Sequence, residues 1–149
     1  DELNSNLGLL KDQEESKAYL ANLNRIQSIL FSIGSHLATE VGSSTFPLPE
    51  LNKDEIEFLE EEMDKMNTEL PEMKNFVLPG GNQASSIAHI CRCVCRRAER
   101  SVILLSHESQ IADFIQIYLN RLSDYLFILA RKIISDTNSE ETPWIPRKK

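Results

Sequence analysis

The stretch IQIYLNRLSDYLFILARKI (residues 115–133) carries an apolar residue on every turn of an α-helix. These residues recur at alternating steps of three and four, and they are Ile115, Leu119, Leu122, Leu126, Leu129 and Ile133. Such steps place the side chains above one another on a single helix face. The stretch therefore predicts a long helix that buries one face against other helices.

Four further segments of the chain show the same spacing of apolar residues. They are residues 3–10, 23–37, 56–70 and 87–102. Apolar stripes of this kind are typical of helices that pack along one another in a bundle. The sequence shows no internal repeat and no strand pattern. We therefore predict an all-α fold, a bundle of five helices.

Prolines and glycines mark the ends of the predicted helices. Residues 42–51 (GSSTFPLPEL) predict a loop, and Pro71 ends the third helix. The sequence Pro-Gly-Gly at 79–81 predicts a turn before the fourth helix. We divide the chain into a helical-bundle domain, residues 1–135, and a C-terminal surface tail, residues 136–149.

Composition and charge limit the classes of function. The 149 residues are 41% hydrophobic and 26% charged, as in an ordinary globular domain. The net charge of −7 disfavours nucleic acid as a partner, since counterion release requires a basic surface. No apolar run approaches the roughly twenty residues that cross a bilayer, so we expect no membrane partner. Cys91, Cys93 and Cys95 lie too close together for a disulfide framework, which favours a reducing compartment.

The most informative stretch is CRCVCRRAER (residues 91–100), which holds four of the sixteen basic residues. On a helix, one sector collects its polar side chains: Arg92, Arg96 and Glu99, with His89 and Arg100 beside them and Arg97 at the edge. We call the four arginines the arginine stripe. Guanidinium groups on one rigid face suit a polyanion, because each can donate two parallel hydrogen bonds to phosphate oxygens. A solvated face held by salt bridges is the open alternative.

The last helix carries a second polar stripe opposite its apolar face. Its members are Asn120, Asp124, Phe127 and Arg131, with Arg121 and Tyr125 at the margin. An amide, a carboxylate and a guanidinium on successive turns could bind a base or a ribose by hydrogen bonds. Equally, Arg121 and Asp124 could form an ordinary surface pair at i,i+3.

Two groups of residues raise the question of a metal site. On a helix Cys93 points away from Cys91 and Cys95, so we predict small core residues rather than zinc ligands. The three histidines lack the spacing of a metal site, and we predict none. His89 shares the arginine stripe, where it is either a neighbour of a phosphate or a plain surface residue.

The loop before the fourth helix contains two features of interest. Pro-Gly-Gly at 79–81 could hold an anion on free backbone N–H groups, but a simple turn is the favoured interpretation. Phe76 lies in a polar segment with no helical reason to be apolar. It either fills the core from the loop or presents its ring to a ligand.

Three segments, in order and at compatible spacing, resemble the PduO-type ATP:cob(I)alamin adenosyltransferases. They are FVLPGG (76–81), CRCVCRRAER (91–100) and LNRLSDYLF (119–127), and the opening DELN (1–4) matches as well. The resemblance implies a homotrimer of five-helix bundles with active sites between neighbouring subunits. It implies transfer of the 5′-deoxyadenosyl group of ATP to the cobalt of cob(I)alamin, with release of triphosphate and with Mg²⁺ as cofactor.

The resemblance also implies residue roles. Phe76 would press on the lower face of the corrin and displace its axial base, and Arg92 would pair with Asp1 at the subunit contact. Asp124 and Tyr125 would support the site. The cobalt is itself the nucleophile, so no general acid or base is expected. The residues implied in ATP binding, with the arginines on the phosphates, are Arg96, Arg97, Ala98, Glu99, Arg100 and Asn120.

The family also has a Gly- and Thr-rich nucleotide-binding segment at its N-terminus, and this sequence, which starts just past where that segment would end, does not contain it. The segment either precedes Asp1 in a longer chain or is missing, and its loss would affect ATP binding and turnover. The resemblance adds a cob(II)alamin reductase as a partner. We expect the bacterial cytoplasm, or the mitochondrial matrix for a eukaryotic chain. The alternative to an enzyme is a helical bundle that binds a phosphorylated or acidic partner through the arginine stripe and ignores corrinoids.

Overall fold

The computed structural model describes residues 1–39 and 47–147, and within them the chain forms five α-helices. A short 3₁₀ helix, Glu14–Tyr19, joins the first two. The all-α, five-helix prediction is confirmed. Residues 42–46 of the predicted loop lie outside the described residues, and residues 47–51 are not helical. The helices are α1 Glu2–Lys11, α2 Leu20–Ala38, α3 Asp54–Glu69, α4 Gln83–Ser106 and α5 Asp113–Asp136.

The core lies where the predicted apolar stripes face one another. The two longest helices, α4 and α5, make the most extensive helix contact within the described residues, and α3 and α1 pack against this pair. Leucines from several helices are fully buried, including Leu7, Leu23, Leu59 and Leu126. Each such side chain contributes about 1.5–3 kcal/mol to folding through its burial. None of the described helices has the length and apolarity to span a bilayer.

A two-stranded antiparallel ribbon accompanies the bundle, and the sequence pattern did not predict it. The strands are β1 Val77–Leu78 and β2 Thr142–Pro143. Val77 lies opposite Pro143 and Leu78 opposite Thr142. Strands of two residues are too short to show an alternating pattern. The ribbon ties the segment after α3 to the chain beyond α5.

The predicted Pro-Gly-Gly turn is present and fixes the start of α4. Gly81 has a φ of +98°, and a Cβ atom there would collide with the side chain of Ile134, so only glycine fits. Asn82 then caps α4, because its Oδ1 accepts a hydrogen bond from the Ser85 N–H at 2.8 Å. Its Nδ2 donates to Thr137 Oγ1 at 2.9 Å and joins the start of α4 to the end of α5.

Candidate functional site

Several charged side chains line a cleft of about 640 Å³. It lies where the end of α3 and the segment after it face α4 and α5. Its charged lining includes Arg92 and Arg96 from the arginine stripe, and Arg121 and Asp124 from α5. Phe127 supplies an apolar wall. The predicted sector of Arg92 and Arg96 and part of the polar stripe of α5 therefore share one cleft.

The other two arginines of the stripe, Arg97 and Arg100, are not part of the cleft lining. Arg96, Arg97 and Arg100 are exposed, and Arg100 follows Arg96 by one helical turn. Arg97 pairs with Glu2 of α1, and this hydrogen bond lowers the pKa of the Glu2 carboxyl. Within one chain, Arg97 therefore forms the kind of surface salt bridge that the sequence analysis gave as the alternative to phosphate binding.

A second groove, of about 430 Å³, lies between α1, α2 and α4. Its lining includes Asp1, Phe31, Ala98 and Val102. The predicted ATP segment 96–100 thus divides between two concave surfaces on opposite sides of α4. Asp1 and Ala98 belong to this groove, whereas Arg92 and Arg96 belong to the cleft.

Asn120 is held between α4 and α5 by hydrogen bonds. Its Nδ2 donates to Glu99 Oε1 at 2.9 Å, and its Oδ1 accepts from the Arg121 guanidinium at 2.7 Å. Arg121 also pairs with Asp124 at 3.3 Å, as the i,i+3 alternative predicted. These connected hydrogen bonds fix the side chains of Glu99 and Asn120 relative to the cleft.

Arg92 is half-buried beside the cleft. Its Nε is buried without a hydrogen-bond partner among the described residues, and the nearest polar contact of its guanidinium is Cys93 Sγ at 3.7 Å. Within residues 1–39 and 47–147 it forms no ion pair with a carboxylate of the same chain. The implied pairing with Asp1 would be a contact between subunits, and it stays a prediction.

Phe76 lies outside the core, with 71% of its surface exposed. The interpretation in which Phe76 fills the core is therefore wrong, and its ring is available to a ligand. A hollow of about 280 Å³ beside it is lined by Met73, Lys74, Asn75 and Trp144. Met73 also lines the arginine cleft, so the cleft and the hollow share a wall.

Trp144, the only tryptophan of the chain, supports Phe76 and was missed in the sequence analysis. The two ring centroids lie 6.5 Å apart with an interplanar angle of 57°. The backbone N–H of Trp144 donates to the Phe76 carbonyl oxygen at 2.6 Å. An isolated aromatic residue in an otherwise polar tail was the signal that could have identified it.

The prediction that His89 lies at the surface is wrong. Only 6% of His89 is exposed, and its ring meets the Phe127 ring edge-on at 6.1 Å. Phe127 and the chain beyond α5 cover it. Burial, together with the charge of Arg92, lowers the pKa of His89, while Glu141 acts in the opposite direction.

Arg131 also departs from the exposed polar stripe in which the sequence placed it. It is 7% exposed. Its Nε donates to Glu141 Oε1 at 2.8 Å, and its guanidinium also donates to the Pro71 carbonyl oxygen at 3.0 Å. Arg131 therefore anchors both the segment after α3 and the C-terminal tail.

Tyr125 is fully buried in the core, and burial raises the pKa of its hydroxyl. Asp124, one position earlier, is exposed in the cleft. The two residues predicted to support the site thus lie on different sides of α5.

Two of the three cysteines are core residues, as predicted, and the prediction is wrong for Cys93. Cys91 and Cys95 are buried, and burial raises the pKa of each thiol to about 12. Cys93 is exposed. In the described part of the chain no three His, Cys, Asp or Glu residues gather as metal ligands would.

Comparisons with known proteins agree with this architecture. Residues 1–133 match the family model described as "Cobalamin adenosyltransferase". The corrinoid adenosyltransferase of Bacillus subtilis is 41% identical over 137 residues, which cover 89% of this chain and 69% of the relative. The mouse corrinoid adenosyltransferase MMAB is 37% identical over 146 residues, which cover 95% of this chain and 62% of the relative.

Solved structures extend the likeness to the fold. A variant PduO-type ATP:corrinoid adenosyltransferase from Lactobacillus reuteri, complexed with cobalamin and ATP, superposes with a TM-score of 0.90. It is 34% identical to this chain, and the match covers 97% of this chain and 78% of that one. The family model spans most of the chain, and the resemblance to the PduO-type adenosyltransferases is confirmed. The chain belongs to the cobalamin adenosyltransferase family.

Proposed function

We propose that this chain is an ATP:cob(I)alamin adenosyltransferase. It transfers the 5′-deoxyadenosyl group of ATP to the cobalt of cob(I)alamin and releases triphosphate. Family membership and the relatives complexed with cobalamin and ATP support this activity. The observation that carries it is the position of Met73, which separates the arginine cleft from the exposed Phe76 ring. A polyanion site and an apolar surface for a flat ring thus lie side by side.

We assign the ATP phosphates to the arginine stripe. Arg96 and Arg100 lie one turn apart on an exposed face, where two guanidinium groups can hold successive phosphates. The remaining ATP contacts are assigned to Arg97, Ala98, Glu99 and Asn120. The hydrogen bond between Glu99 and Asn120 supports this assignment, because it fixes both groups before ATP binds. Mg²⁺ accompanies the phosphates, which are its usual ligands in nucleotide sites.

We assign the lower face of the corrin to Phe76. An exposed phenyl ring, held by the β-ribbon and Trp144, offers no lone pair to cobalt and excludes water. A cobalt without a lower axial ligand is easier to reduce to Co(I). The chain then supplies positioning, exclusion of water and charge stabilisation on the leaving triphosphate, and needs no general base.

We propose that the enzyme acts as a homotrimer with its active sites between subunits. Large apolar side chains on two helices support a subunit contact, since Phe31 is 71% exposed and Leu104 is 69% exposed. Arg92, which has no carboxylate partner within the described part of one chain, is assigned to Asp1 of a neighbouring subunit. Exchanging the two charges (Asp1→Arg with Arg92→Asp) should restore an assembly that either single substitution weakens, as sedimentation would show.

The tail, residues 136–149, contributes Glu141 and Trp144 to the site and works together with the bundle, residues 1–135. We further propose that a cob(II)alamin reductase supplies the electron. Relatives occur in bacteria and in mammals. The bacterial cytoplasm, or the mitochondrial matrix in a eukaryote, is the proposed compartment.

A spectral assay tests the activity directly. The protein is mixed with cob(I)alamin, ATP and Mg²⁺, and the absorbance of adenosylcobalamin is followed. We expect its formation to need both ATP and protein, and free triphosphate to appear in equal amount. A chain that binds ATP but forms no adenosylcobalamin would contradict the proposal. Binding of a phosphopeptide with no effect of cobalamin would favour the non-catalytic alternative.

A further inference from the structure

Three buried side-chain polar atoms lie on consecutive turns of α4. They are Ser85 Oγ, His89 Nδ1 and Arg92 Nε, none of which has a hydrogen-bond partner among the described residues. Ser85 and His89 are 1% and 6% exposed. Buried polar atoms in folded proteins almost always have a hydrogen-bond partner, and an ordered water is a common partner where the protein supplies none. These three atoms therefore indicate that a hydrogen-bonding group is bound next to α4.

A small cavity of about 10 Å³ meets two of these residues. Its lining includes Ser85 and His89 from α4, Arg131 from α5 and Glu141 from the tail. The first residues of the ribbon, Val77 and Leu78, close another side. This volume is about the space that the centre of one water molecule needs, and a water requires two to four polar partners.

The chemistry of the lining fits one water and no larger ligand. Burial lowers the pKa of His89, which favours the neutral ring, and a neutral ring keeps one nitrogen free to accept a hydrogen bond. The Glu141 carboxylate also accepts, and the Ser85 hydroxyl can donate. A water has two hydrogens to donate and can accept, so it satisfies all three groups at once.

We propose that Ser85, His89 and Glu141 bind one internal water molecule, and that His89 thereby acts as a positioning residue for the ribbon that carries Phe76. Glu141 directly precedes β2, and Trp144 directly follows it. The backbone N–H of Trp144 donates to the Phe76 carbonyl oxygen. Arg131 holds the Glu141 carboxylate from one side. The water, which is bound to Ser85 and His89 of α4, donates a hydrogen bond to the opposite side of the Glu141 carboxylate. Only the final step, from ribbon to corrin, rests on the proposed role of Phe76.

Two measurements without ATP or cobalamin test this inference, so its failure is distinguishable from failure of the proposed activity. The first is a crystal structure at a resolution that shows ordered water. We expect density for one water within hydrogen-bond distance of His89 Nδ1 and a Glu141 carboxylate oxygen. A cavity without such density overturns the proposal.

The second measurement is amide hydrogen exchange of Trp144, with its fluorescence as a parallel signal. Ser85→Ala and His89→Leu should each speed exchange by about tenfold, because each removes a hydrogen bond from the bridge. His89→Asn, whose Oδ1 replaces the accepting nitrogen, should restore the slow rate. Ser86→Ala is the matched control, since among the described residues the Ser86 hydroxyl donates to the carbonyl of Asn82, the cap of the same helix.

The exchange of core amides in α5 separates a local effect from a general loss of stability. Slower exchange at Trp144 in wild type than in His89→Leu, with equal exchange in α5, supports the bridge. Wild-type exchange at Trp144 in both Ser85→Ala and His89→Leu overturns it. Equal acceleration at Trp144 and in α5, without rescue by His89→Asn, also overturns it, because His89 would then act only in general packing.

Discussion

The backbone N–H of Trp144 donates a hydrogen bond of 2.6 Å to the carbonyl oxygen of Phe76, and their rings lie 6.5 Å apart. The two residues are far apart in sequence, and the β-ribbon brings them together. Phe76 itself has few other supports, because 71% of its surface is exposed. The C-terminal tail therefore contacts Phe76 through both its backbone and its ring.

Replacing Trp144 by alanine should impair the reaction without weakening ATP binding. An aromatic pair contributes about 0.5–1.5 kcal/mol beyond area burial, so loss of the indole should lower kcat roughly two- to tenfold. The KM for ATP should stay at its wild-type value. Ile145→Ala is the matched control, since this neighbouring side chain is 73% exposed. Equal kinetics for Trp144→Ala and wild type would show that the tail does not position Phe76.

Replacing Phe76 by alanine should lower the rate of adenosylcobalamin formation more than Trp144→Ala does. Without the ring, water or the axial base can approach the lower face of cobalt, and reduction to Co(I) becomes harder. We expect the variant to form much less adenosylcobalamin from cob(II)alamin and a reductant. Corrinoid bound to the variant should show the absorption bands of cobalt with a lower axial ligand. Because Phe76 is exposed, the melting temperature should change little. A corrinoid bound to Phe76→Ala with the same absorption spectrum as a corrinoid bound to wild type would refute the assignment.

Replacing Arg96 by alanine should affect ATP and leave corrinoid binding intact. A hydrogen bond to a charged group contributes about 1.5–3 kcal/mol, which corresponds to about a 10- to 100-fold loss in kcat/KM for ATP. Steady-state kinetics with varied ATP measure it. Lys65→Ala removes the same charge from an exposed position on α3 and serves as control. Similar losses for both variants would mean that net charge, rather than contact with phosphate, is responsible.

The elements that the sequence predicted are those that depend on local spacing. The five apolar stripes specify the helices, and helical periodicity alone places Arg92 and Arg96 on one face. The turn at 79–81 is equally local, because glycine adopts the positive φ of Gly81 more readily than other residues do. The family resemblance added the order of the motifs along the chain.

The features that the sequence missed depend on contacts between distant segments. His89 has the helical position of a surface residue, but Phe127 of α5 covers its ring. Arg131 has the pattern of an exposed residue, but Glu141 of the tail and the Pro71 carbonyl bury it. No periodicity records such pairings, since each forms only after the helices and the tail have packed.

The stability of the chain should fall in acid partly through Asp136 at the end of α5. Burial acts to raise the pKa of this carboxyl, but hydrogen bonds from Lys132 and Tyr19 outweigh it and lower the pKa below 3.8. A lowered pKa in the folded state stabilises the protein above the unfolded pKa of about 3.9, and this stabilisation disappears as the pH falls through the folded value. Asp136→Asn should therefore lower the free energy of unfolding at pH 7 by about 0.5–1 kcal/mol, a modest effect because water screens the partly exposed carboxylate.

Urea unfolding at pH 7 and at a pH below the folded pKa of Asp136 tests this origin. The gap between wild type and Asp136→Asn should narrow toward the lower pH, where the wild-type carboxyl is protonated as well. Glu60→Gln, which neutralises an exposed carboxylate on α3, controls for the change in net charge. A gap that stays constant across the two conditions would mean that Asp136 stabilises the end of α5 without its negative charge. Its contacts with Lys132 and Tyr19 would then act as neutral hydrogen bonds.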